Sequence, residues 1–257
     1  MANRYLFEQM VRRELRQKYK GSALGVLWYL INPLVLMGAY YLMFGVIFKA
    51  VAEPDYPLFL LVGLVVWVFF SQAVMSAAPS LLDQGALVRK ARFPRETIPA
   101  SVVIVHSVTF LALIALLTPI TIAIRGTADP ALLALPAILA CLFAFVLGFA
   151  LAVSVLHAYF RDVAPILSAA LLPWFFLSPI FFDPAHLDRF SDETAALFVL
   201  EWVNPVAPFI VAVRDVIYGG ALPAASVLLY VVVAATLALF GGLALFRRMQ
   251  GELAVVV

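Results

Sequence analysis

The uncharged apolar run from Leu24 to Phe48 is the feature that most restricts how this chain can fold. It contains no Asp, Glu, Lys, Arg or His. As an α-helix rising about 1.5 Å per residue, it would be roughly 37 Å long, enough to cross a hydrocarbon layer of about 30 Å with some tilt. The run therefore predicts a first membrane span.

A basic, amphipathic stretch precedes this span. Its apolar side chains recur at helical spacing, with arginines and lysines between them: Phe7, Met10, Val11, Leu15 and Tyr19. Helices of this kind lie in the headgroup plane of a membrane. Residues 1–23 are therefore predicted to form an interface helix on the cytoplasmic side, the alternative being a basic flank that only fixes the orientation of the first span.

Composition places the whole chain in a membrane. Hydrophobic residues make up 65% of it, charged residues 12%, and the mean hydropathy is +1.06, whereas soluble domains are nearer half apolar and a quarter charged. Five more apolar runs are long enough to cross a bilayer: residues 58–78, 100–124, 131–156, 163–182 and 223–246. The prediction is an all-α integral membrane protein with six transmembrane helices, forming one domain over residues 1–257.

Two polar intervals interrupt the spans. The loop at 79–99 is too charged for lipid and too short for a domain, so it is predicted to hold a short helix. The segment at 183–222 mixes acidic residues with apolar pieces too short to cross, which predicts one or two short amphipathic or re-entrant helices at the outer face, between spans five and six.

The distribution of basic residues predicts orientation. With both termini inside, every lysine and arginine lies on the cytoplasmic side except Lys49, Arg125, Arg189 and Arg214. Positive residues are concentrated on the cytoplasmic side of membrane proteins. We therefore expect both termini in the cytoplasm and the 183–222 segment outside.

The near absence of charge inside the spans excludes several kinds of chemistry. Ion-coupled transporters need carboxylates or histidines at depth, and His106 is the lone candidate, predicted instead to be a neutral histidine hydrogen-bonded between helices. Neither a G-x-x-x-x-G-K-[ST] loop nor an H-E-x-x-H helix occurs. We expect no catalytic residue, cofactor or metal site in this chain, and no nucleic-acid partner, so energy from ATP would have to come from another chain.

An ordered set of short motifs carries a resemblance that covers nearly the whole chain. The motifs are the run from Arg13 to Trp28, Asn32-Pro33-Leu34, Phe93-Pro94, Tyr159-Phe160-Arg161-Asp162, Ser178-Pro179-Ile180 and Asn204-Pro205. In these residues the chain resembles the permease subunits of polysaccharide ABC exporters, the type 2 family that exports O-antigen, capsule, galactan and teichoic-acid chains.

The resemblance implies a channel for a lipid-linked polysaccharide at the interface with a second copy of the chain, in the lipids of the bacterial cytoplasmic membrane. It implies nucleotide-binding ATPase subunits that carry the ATP and Mg²⁺. It also implies that the N-terminal helix and the loop after span two contact the ATPase, and that the outer helices gate the exit. The candidate coupling residues are Arg12, Arg16, Leu81, Leu82, Val88, Arg89, Phe93, Pro94, Arg161 and Asp162, and the candidate gate residues are Asn204 and Pro205.

Two side-chain patterns add to these expectations. In the loop after span two, Leu81, Leu82 and Val88 share a helical face that could enter a groove on a partner, although a solvated basic loop would explain the nearby charges equally well. Neutral aromatic residues in the spans could stack on sugar rings: Tyr29, Tyr40, Phe44, Trp67, Phe70, Trp174 and Phe175. The alternative for these aromatics is interfacial anchoring or packing.

Two rival functions remain open from the residues. One is a permease of the same family that moves a lipid or a drug. The other is a membrane enzyme acting on lipid-linked substrates, for which His157, Arg161 and Asp162 would be the nearest candidates.

Overall fold

The computed structural model describes residues 2–19, 28–47, 54–90, 94–126, 129–183 and 202–253, and the regular structure in these ranges is entirely helical. The helices are α1 (Ala2–Tyr19), α2 (Trp28–Tyr40, continued by a π-helical turn at Tyr41–Ile47), α3 (Tyr56–Ala77), α4 (Ser80–Asp83), α5 (Gly85–Lys90), α6 (Thr97–Arg125), α7 (Leu135–Tyr159, after a 3-10 turn at Pro130–Ala134), α8 (Val163–Phe176), α9 (Ala207–Arg214, continued by a π-helical turn at Asp215–Gly219) and α10 (Ala225–Met249).

Four of these elements are long and apolar enough to cross a membrane. They are α3, α6, α7 with its preceding turn, and α10. Their bounds lie within three residues of the runs predicted for spans two, three, four and six. The long uncharged runs of the sequence therefore form continuous helices, as expected.

The predicted first and fifth spans contain shorter apolar helical stretches. These are Ile31–Ile47, within α2 and its π-helical continuation, and Val163–Phe176, which is α8. A straight crossing needs about 20 helical residues. Helix α8 ends early because Pro179 disfavours helical geometry at Ser178, and the chain turns there, with the Ser178 N–H donating to the Phe175 carbonyl (3.2 Å). Six crossings therefore stay a prediction.

Polar contacts mark the two ends of the helix bundle. At one end, the Arg125 guanidinium at the close of α6 donates to the Tyr218 carbonyl (2.9 Å) and to the Asp55 carboxylate just before α3 (3.4 Å). At the other end, the Tyr159 hydroxyl donates to the Met249 carbonyl (2.5 Å), and Arg95 donates to the Gln250 carbonyl. Helix α3 thus begins at the first end, where α6 closes, whereas α7 and α10 both close at the second end.

The second of these ends, called the basic end, carries Arg89, Arg95, Arg247 and Arg248. Helix α1 and the residues that follow α10 also meet at this end. Met10 of α1 is buried in one hydrophobic cluster with Phe246 of α10 and Leu253 beyond it. The N-terminal helix and the C-terminal helix end therefore lie on the same side of the bundle.

Helix α3 forms the centre of the structure, and α10 lies at its edge. Phe59, Leu60, Leu64 and Phe70 of α3 are fully buried between neighbouring helices. Helix α10 instead exposes large apolar side chains along its length: Leu229, Val232, Val233, Leu237 and Phe240. In a membrane protein such a face meets lipid or another subunit.

Helices α7 and α10 pack closely because glycines face each other. A Cβ added at Gly242 would lie 2.1 Å from the Gly148 carbonyl oxygen, and a Cβ added at Gly148 would lie 2.1 Å from the Ala238 carbonyl oxygen. Small residues of this kind let membrane helices approach until their backbones touch. The contact leaves no room for a methyl group on either helix.

This contact predicts opposite effects for two neighbouring glycines of α10. Gly242→Ala should lower the free energy of unfolding by about 1–3 kcal/mol, because the methyl group would push the backbones apart. Gly241→Ala is the matched control, since a Cβ there meets nothing within 4 Å and alanine favours a helix by up to about 1 kcal/mol. Thermal unfolding of the purified variants in one detergent measures both, and equal melting temperatures would contradict the packing.

Candidate functional site

Six of the seven aromatic residues singled out in the sequence lie in one cluster formed by α2, α3 and α8. The ring centroids of Trp67 and Trp174 are 6.1 Å apart, those of Trp67 and Phe175 are 5.7 Å apart, and those of Tyr40 and Phe175 are 5.4 Å apart. Phe44 and Phe70 complete the set through Tyr40 and Trp174. We call these six residues the aromatic cluster. The side chain of Tyr29 lies outside the described residues.

The members of the aromatic cluster differ in accessibility. Phe70 is fully buried, and Trp67 and Phe175 expose only 5% and 7% of their surface. Tyr40, Phe44 and Trp174 are half-buried. Within a single chain, the buried rings pack against other side chains, and the half-buried rings are the ones that a ligand or a second chain could touch.

Phe181 belongs to the same site, although sequence reasoning did not include it. Its ring centroid is 4.9 Å from both Tyr40 and Phe44 and 5.1 Å from Phe175. Phe181 directly follows the Ser178-Pro179-Ile180 motif. The turn made by that motif folds the chain back toward α2. The position of an aromatic residue directly after the motif could have indicated that Phe181 belongs to the aromatic site.

Asn204 joins two of the motifs that are distant in sequence. Its Oδ1 accepts from the Trp174 Nε1–H (2.7 Å) and from the Val206 N–H (3.1 Å), while its Nδ2 donates to the Ser178 hydroxyl oxygen (2.9 Å) and the Leu177 carbonyl (3.2 Å). Asn204 is buried and the adjacent Pro205 is half-buried. The residue therefore fixes the start of α9 onto the end of α8 and onto the aromatic cluster.

This arrangement predicts that Asn204→Asp destabilises the fold by about 2–3 kcal/mol, because the carboxylate keeps the acceptors but loses both donors in a buried position. Trp174→Phe, which removes only one donor, should cost about 0.5–1.5 kcal/mol. Thermal unfolding of both variants beside wild type compares the two losses. A larger loss for Trp174→Phe would show that the ring, rather than the amide network, holds this junction.

Arg214 at the end of α9 is buried, with 4% of its surface exposed. Its guanidinium lies 3.6 Å above the Phe59 ring, and Nη2 donates to the Ile180 carbonyl (3.2 Å). A Cβ added at Gly63 of α3 would lie 2.6 Å from that Nη2, so the glycine makes room for the cation. Helix α9 therefore packs against the buried helix α3, and the expectation that this segment holds short amphipathic or re-entrant helices at the outer face stays a prediction.

Asp215 follows Arg214, and the pKa of its carboxyl is raised. Burial of its carboxyl, then the nearby Asp183 carboxylate, raises the pKa of Asp215 to about 6, against a smaller lowering effect of Arg214. Since an aspartate in an unfolded chain has a pKa of about 4, the folded chain binds this proton more tightly. The charged form therefore opposes folding, and stability falls as the pH rises from about 4 to about 6.

Asp215→Asn should remove this component of the pH dependence. Relative to the variant, wild type should lose thermal stability between about pH 4.5 and about pH 7.5, because only wild type has an ionisable carboxyl at position 215. Melting curves at both pH values give the difference. Asp162→Asn, at an exposed position on the basic end, is the control that should follow wild type, and a Tm difference between Asp215→Asn and wild type that does not change with pH would contradict the assignment.

The candidate coupling loop is helical, as predicted, but its apolar face is used within the chain. Helices α4 and α5 are separated by Gln84, whose backbone leaves the helical region. Leu81 and Val88 are 0% and 1% exposed and pack in the hydrophobic cluster of the basic end, while Leu82 is half-buried and Arg89 is exposed. The cluster's own packing accounts for the amphipathic pattern, so Leu81 and Val88 are not available to a groove on another protein.

The other candidate coupling residues mostly lie at the surface. Arg12 is exposed and pairs with Glu8 of the same helix (2.7 Å), and Pro94, Arg161 and Asp162 are also exposed. Phe93 and the side chain of Arg16 lie outside the described residues. Helix α6 begins at Thr97, not at Pro94, and the Pro94 carbonyl accepts from the Thr97 hydroxyl (2.7 Å).

The two histidines noted in the sequence are both buried. The His157 Nδ1 accepts from the Ala164 N–H (3.3 Å) at the start of α8, a bond that fixes a turn. His106 lies in α6 and is 6% exposed. Groups of three or more His, Cys, Asp or Glu that could hold a metal ion are absent from the described part of the chain.

Comparison with known proteins decides the family. A family model described as ABC-2 type transporter matches residues 5–218. The chain belongs to the ABC-2 type transporter family. The O-antigen export system permease protein RfbA of Myxococcus xanthus is 29% identical over 251 residues, covering 98% of this chain and 95% of the relative.

Two proteins of Klebsiella pneumoniae with the same name are each 28% identical to this member of the ABC-2 family. One matches over 226 residues, covering 85% of this chain and 83% of the relative, and the other over 265 residues, covering 98% and 96%. The resemblance drawn from the motifs, to the permeases of polysaccharide ABC exporters, is confirmed. With its long apolar helices, this ABC-2 chain is a multi-pass membrane protein.

Proposed function

We propose that this chain is the channel-forming permease subunit of an ATP-driven exporter that moves a lipid-linked polysaccharide across the bacterial cytoplasmic membrane. The observation that carries the proposal is the match to O-antigen export permeases, which extends over 98% of the chain at 29% identity. The chain itself performs no catalysis in this proposal. ATP and Mg²⁺ bind to a separate nucleotide-binding ATPase subunit.

The substrate path is proposed to pass the half-buried rings of the aromatic cluster, at an interface with a second copy of the chain. Tyr40, Phe44 and Trp174 present flat neutral faces, and such faces stack on sugar rings without placing a charge in the membrane. Large apolar side chains of α2 and α8 beside them are exposed in the isolated chain, including Ile47, Ile166 and Phe176. A second copy placed against these faces would cover them and enclose the path.

The ATPase is proposed to dock at the basic end, which would be cytoplasmic by the positive-inside rule. The candidates at this surface are the half-buried Leu82 and five exposed side chains: Arg12, Arg89, Pro94, Arg161 and Asp162. Leu81 and Val88 would not contact the ATPase directly, and their packing would connect this surface to α7 and α10. The six-span topology, the cytoplasmic termini and a gate formed by the 183–222 segment belong to the same proposal.

Reconstitution tests the function. The chain and its proposed ATPase partner are purified together, inserted into vesicles and supplied with a lipid-linked glycan or with the lipid carrier alone. The proposal expects ATP turnover stimulated by the glycan-bearing lipid, and glycan inside the vesicles. Equal turnover with carrier alone, and no internal glycan, would favour a permease for a lipid.

Tyr40 and Phe70 form a matched pair for the substrate path. Tyr40→Ala should slow export while leaving the amount of folded protein unchanged, because its ring is half-buried at the surface of the aromatic cluster. Phe70→Ala should cost about 3–5 kcal/mol of stability, because it empties a fully buried site. Export rate per folded dimer separates the two effects, and normal export by Tyr40→Ala would remove Tyr40 from the path.

A further inference from the structure

A cavity of about 470 Å³ opens at the basic end, where α1, α3, α4 and α6 meet. It shares no residue with the aromatic cluster, and the proposed function assigns it no role. Arg13 and Glu14 of α1, Ser80 and Asp83 of α4, the adjoining Gln84, and His106 of α6 supply its polar lining. Two valines of α6, at positions 102 and 105, supply the apolar part.

The lining has an open mouth and a closed floor. Arg13 and Asp83 are exposed, so a cation and an anion both stand at the mouth. Ser80, Gln84 and His106 are 4%, 7% and 6% exposed and form the floor. A ligand entering the cavity would therefore exchange water at its mouth for fixed polar groups inside.

The two charged groups at the mouth, the Arg13 guanidinium and the Asp83 carboxylate, have opposite signs but do not form an ion pair with each other. Among the residues that the structure describes, neither Arg13 nor Asp83 takes part in an ion pair. Exposed charges are usually solvated and contribute little by themselves. Here, however, they flank an enclosed space, and a ligand that carries one positive and one negative group would satisfy both.

The floor contains a buried acceptor that a hydrogen-bond donor could reach only if the Gln84 side chain turned toward the cavity. The Gln84 Nε2 donates to Glu14 Oε1 (2.9 Å), but the buried Gln84 Oε1 has no hydrogen-bond partner within the described part of the chain. An unsatisfied buried acceptor costs free energy until a donor reaches it. A ligand with N–H groups would supply that donor, whereas a quaternary ammonium or a simple anion would not.

The position of the cavity indicates where the ligand comes from. Helix α1 has the amphipathic sequence of a helix that lies in the headgroup plane. His106 is nine residues beyond the start of α6, which places it about 14 Å along the helix. The cavity therefore extends from the headgroup level toward the acyl chains, and its valine wall is suited to the apolar side of a lipid.

We propose that this cavity binds the phosphoethanolamine headgroup of a membrane phospholipid. The phosphate lies against the Arg13 guanidinium, and the ammonium group donates to the Asp83 carboxylate and, once the Gln84 side chain turns toward it, to Gln84 Oε1. A phosphocholine headgroup offers the same charges but no N–H, and a phosphoglycerol headgroup offers no cation. The bound headgroup would join the interface helix α1 to α4 and α6.

Native mass spectrometry of the purified full-length chain in detergent tests the lipid preference. Phosphatidylethanolamine, phosphatidylcholine and phosphatidylglycerol with identical acyl chains are added at equal concentrations. The proposal expects phosphatidylethanolamine to bind at least about tenfold more tightly than the other two, as expected for a charge-assisted hydrogen bond that only it can make. Equal binding of the three lipids would overturn the proposal.

Matched substitutions locate the binding. Asp83→Asn should abolish the tenfold preference, because it removes the carboxylate that receives the ammonium N–H. Arg13→Gln should weaken the binding of all three lipids, which share the phosphate. Arg12→Gln should change neither, since Arg12 is exposed on the same helix and pairs with Glu8 outside the cavity. All three replaced side chains are exposed, and melting curves check that the variants fold. A preference that survives Asp83→Asn, or lipid affinities that Arg13→Gln leaves unchanged, would place the lipid elsewhere and overturn the assignment.

Soluble competitors distinguish the lipid from other sources of the same chemistry. Inorganic phosphate and free phosphoethanolamine are added to the wild-type chain loaded with phosphatidylethanolamine. Neither should displace the lipid at equal concentration, because they lack the acyl chains that hold it at the valine wall. Displacement by phosphate alone would reduce the site to an anion site, and displacement by free phosphoethanolamine would assign it to a soluble ligand, so either result overturns the lipid proposal.

Discussion

Hydrogen bonding without water is the constraint on which the rest of this structure depends. Inside a bilayer a backbone or hydroxyl group has no solvent partner and must be satisfied by the chain itself. Eight serine and threonine hydroxyls in the long helices follow this rule, because each donates to a carbonyl three or four residues earlier in its own helix: Ser71, Ser101, Ser107, Thr109, Thr118, Thr121, Ser154 and Thr236. These hydroxyls therefore need no partner on a neighbouring helix, and close contacts between helix backbones, such as Gly148 against Gly242, remain possible.

The same constraint explains which parts of the fold could be predicted from the sequence. Runs without charge predict α3, α6, α7 and α10 closely, since an uncharged run of that length has no other stable form in lipid. Composition does not reveal where such a run stops being helical. Helix α8 ends at Phe176 because of the turn before Pro179, and the backbone after Tyr40 changes to a π-helical turn, neither of which alters the hydrophobicity of the run.

The candidate site was predictable by residue type but not by exposure. The aromatic residues do come together, yet Phe70 is fully buried while Tyr40 is half-buried, and a helix that is apolar all round gives no periodic signal to separate such positions. Leu81 and Val88 illustrate a different error, in which a buried face was correctly identified but assigned to the wrong partner. Their pattern correctly indicates a buried face, but the partner is the chain itself, through Met10, Phe246 and other residues far away in sequence. Only long-range contacts distinguish these cases.

The anchoring of α9, which belongs to the proposed outer segment, restricts how the proposed exit gate could work. Helix α9 is held by Asn204 at its start and by Arg214 at its end, and the latter stacks on Phe59 of α3. A movement of α9 by itself would leave buried polar groups without partners, at a cost of about 1–3 kcal/mol for each group. A movement of α9 together with α3 and the end of α8 would break none of these bonds. Since α3 leads directly into α4 at the basic end, a displacement there would reach the outer segment through one continuous helix, and this geometry favours opening by a shift of whole helices over the swing of a surface flap.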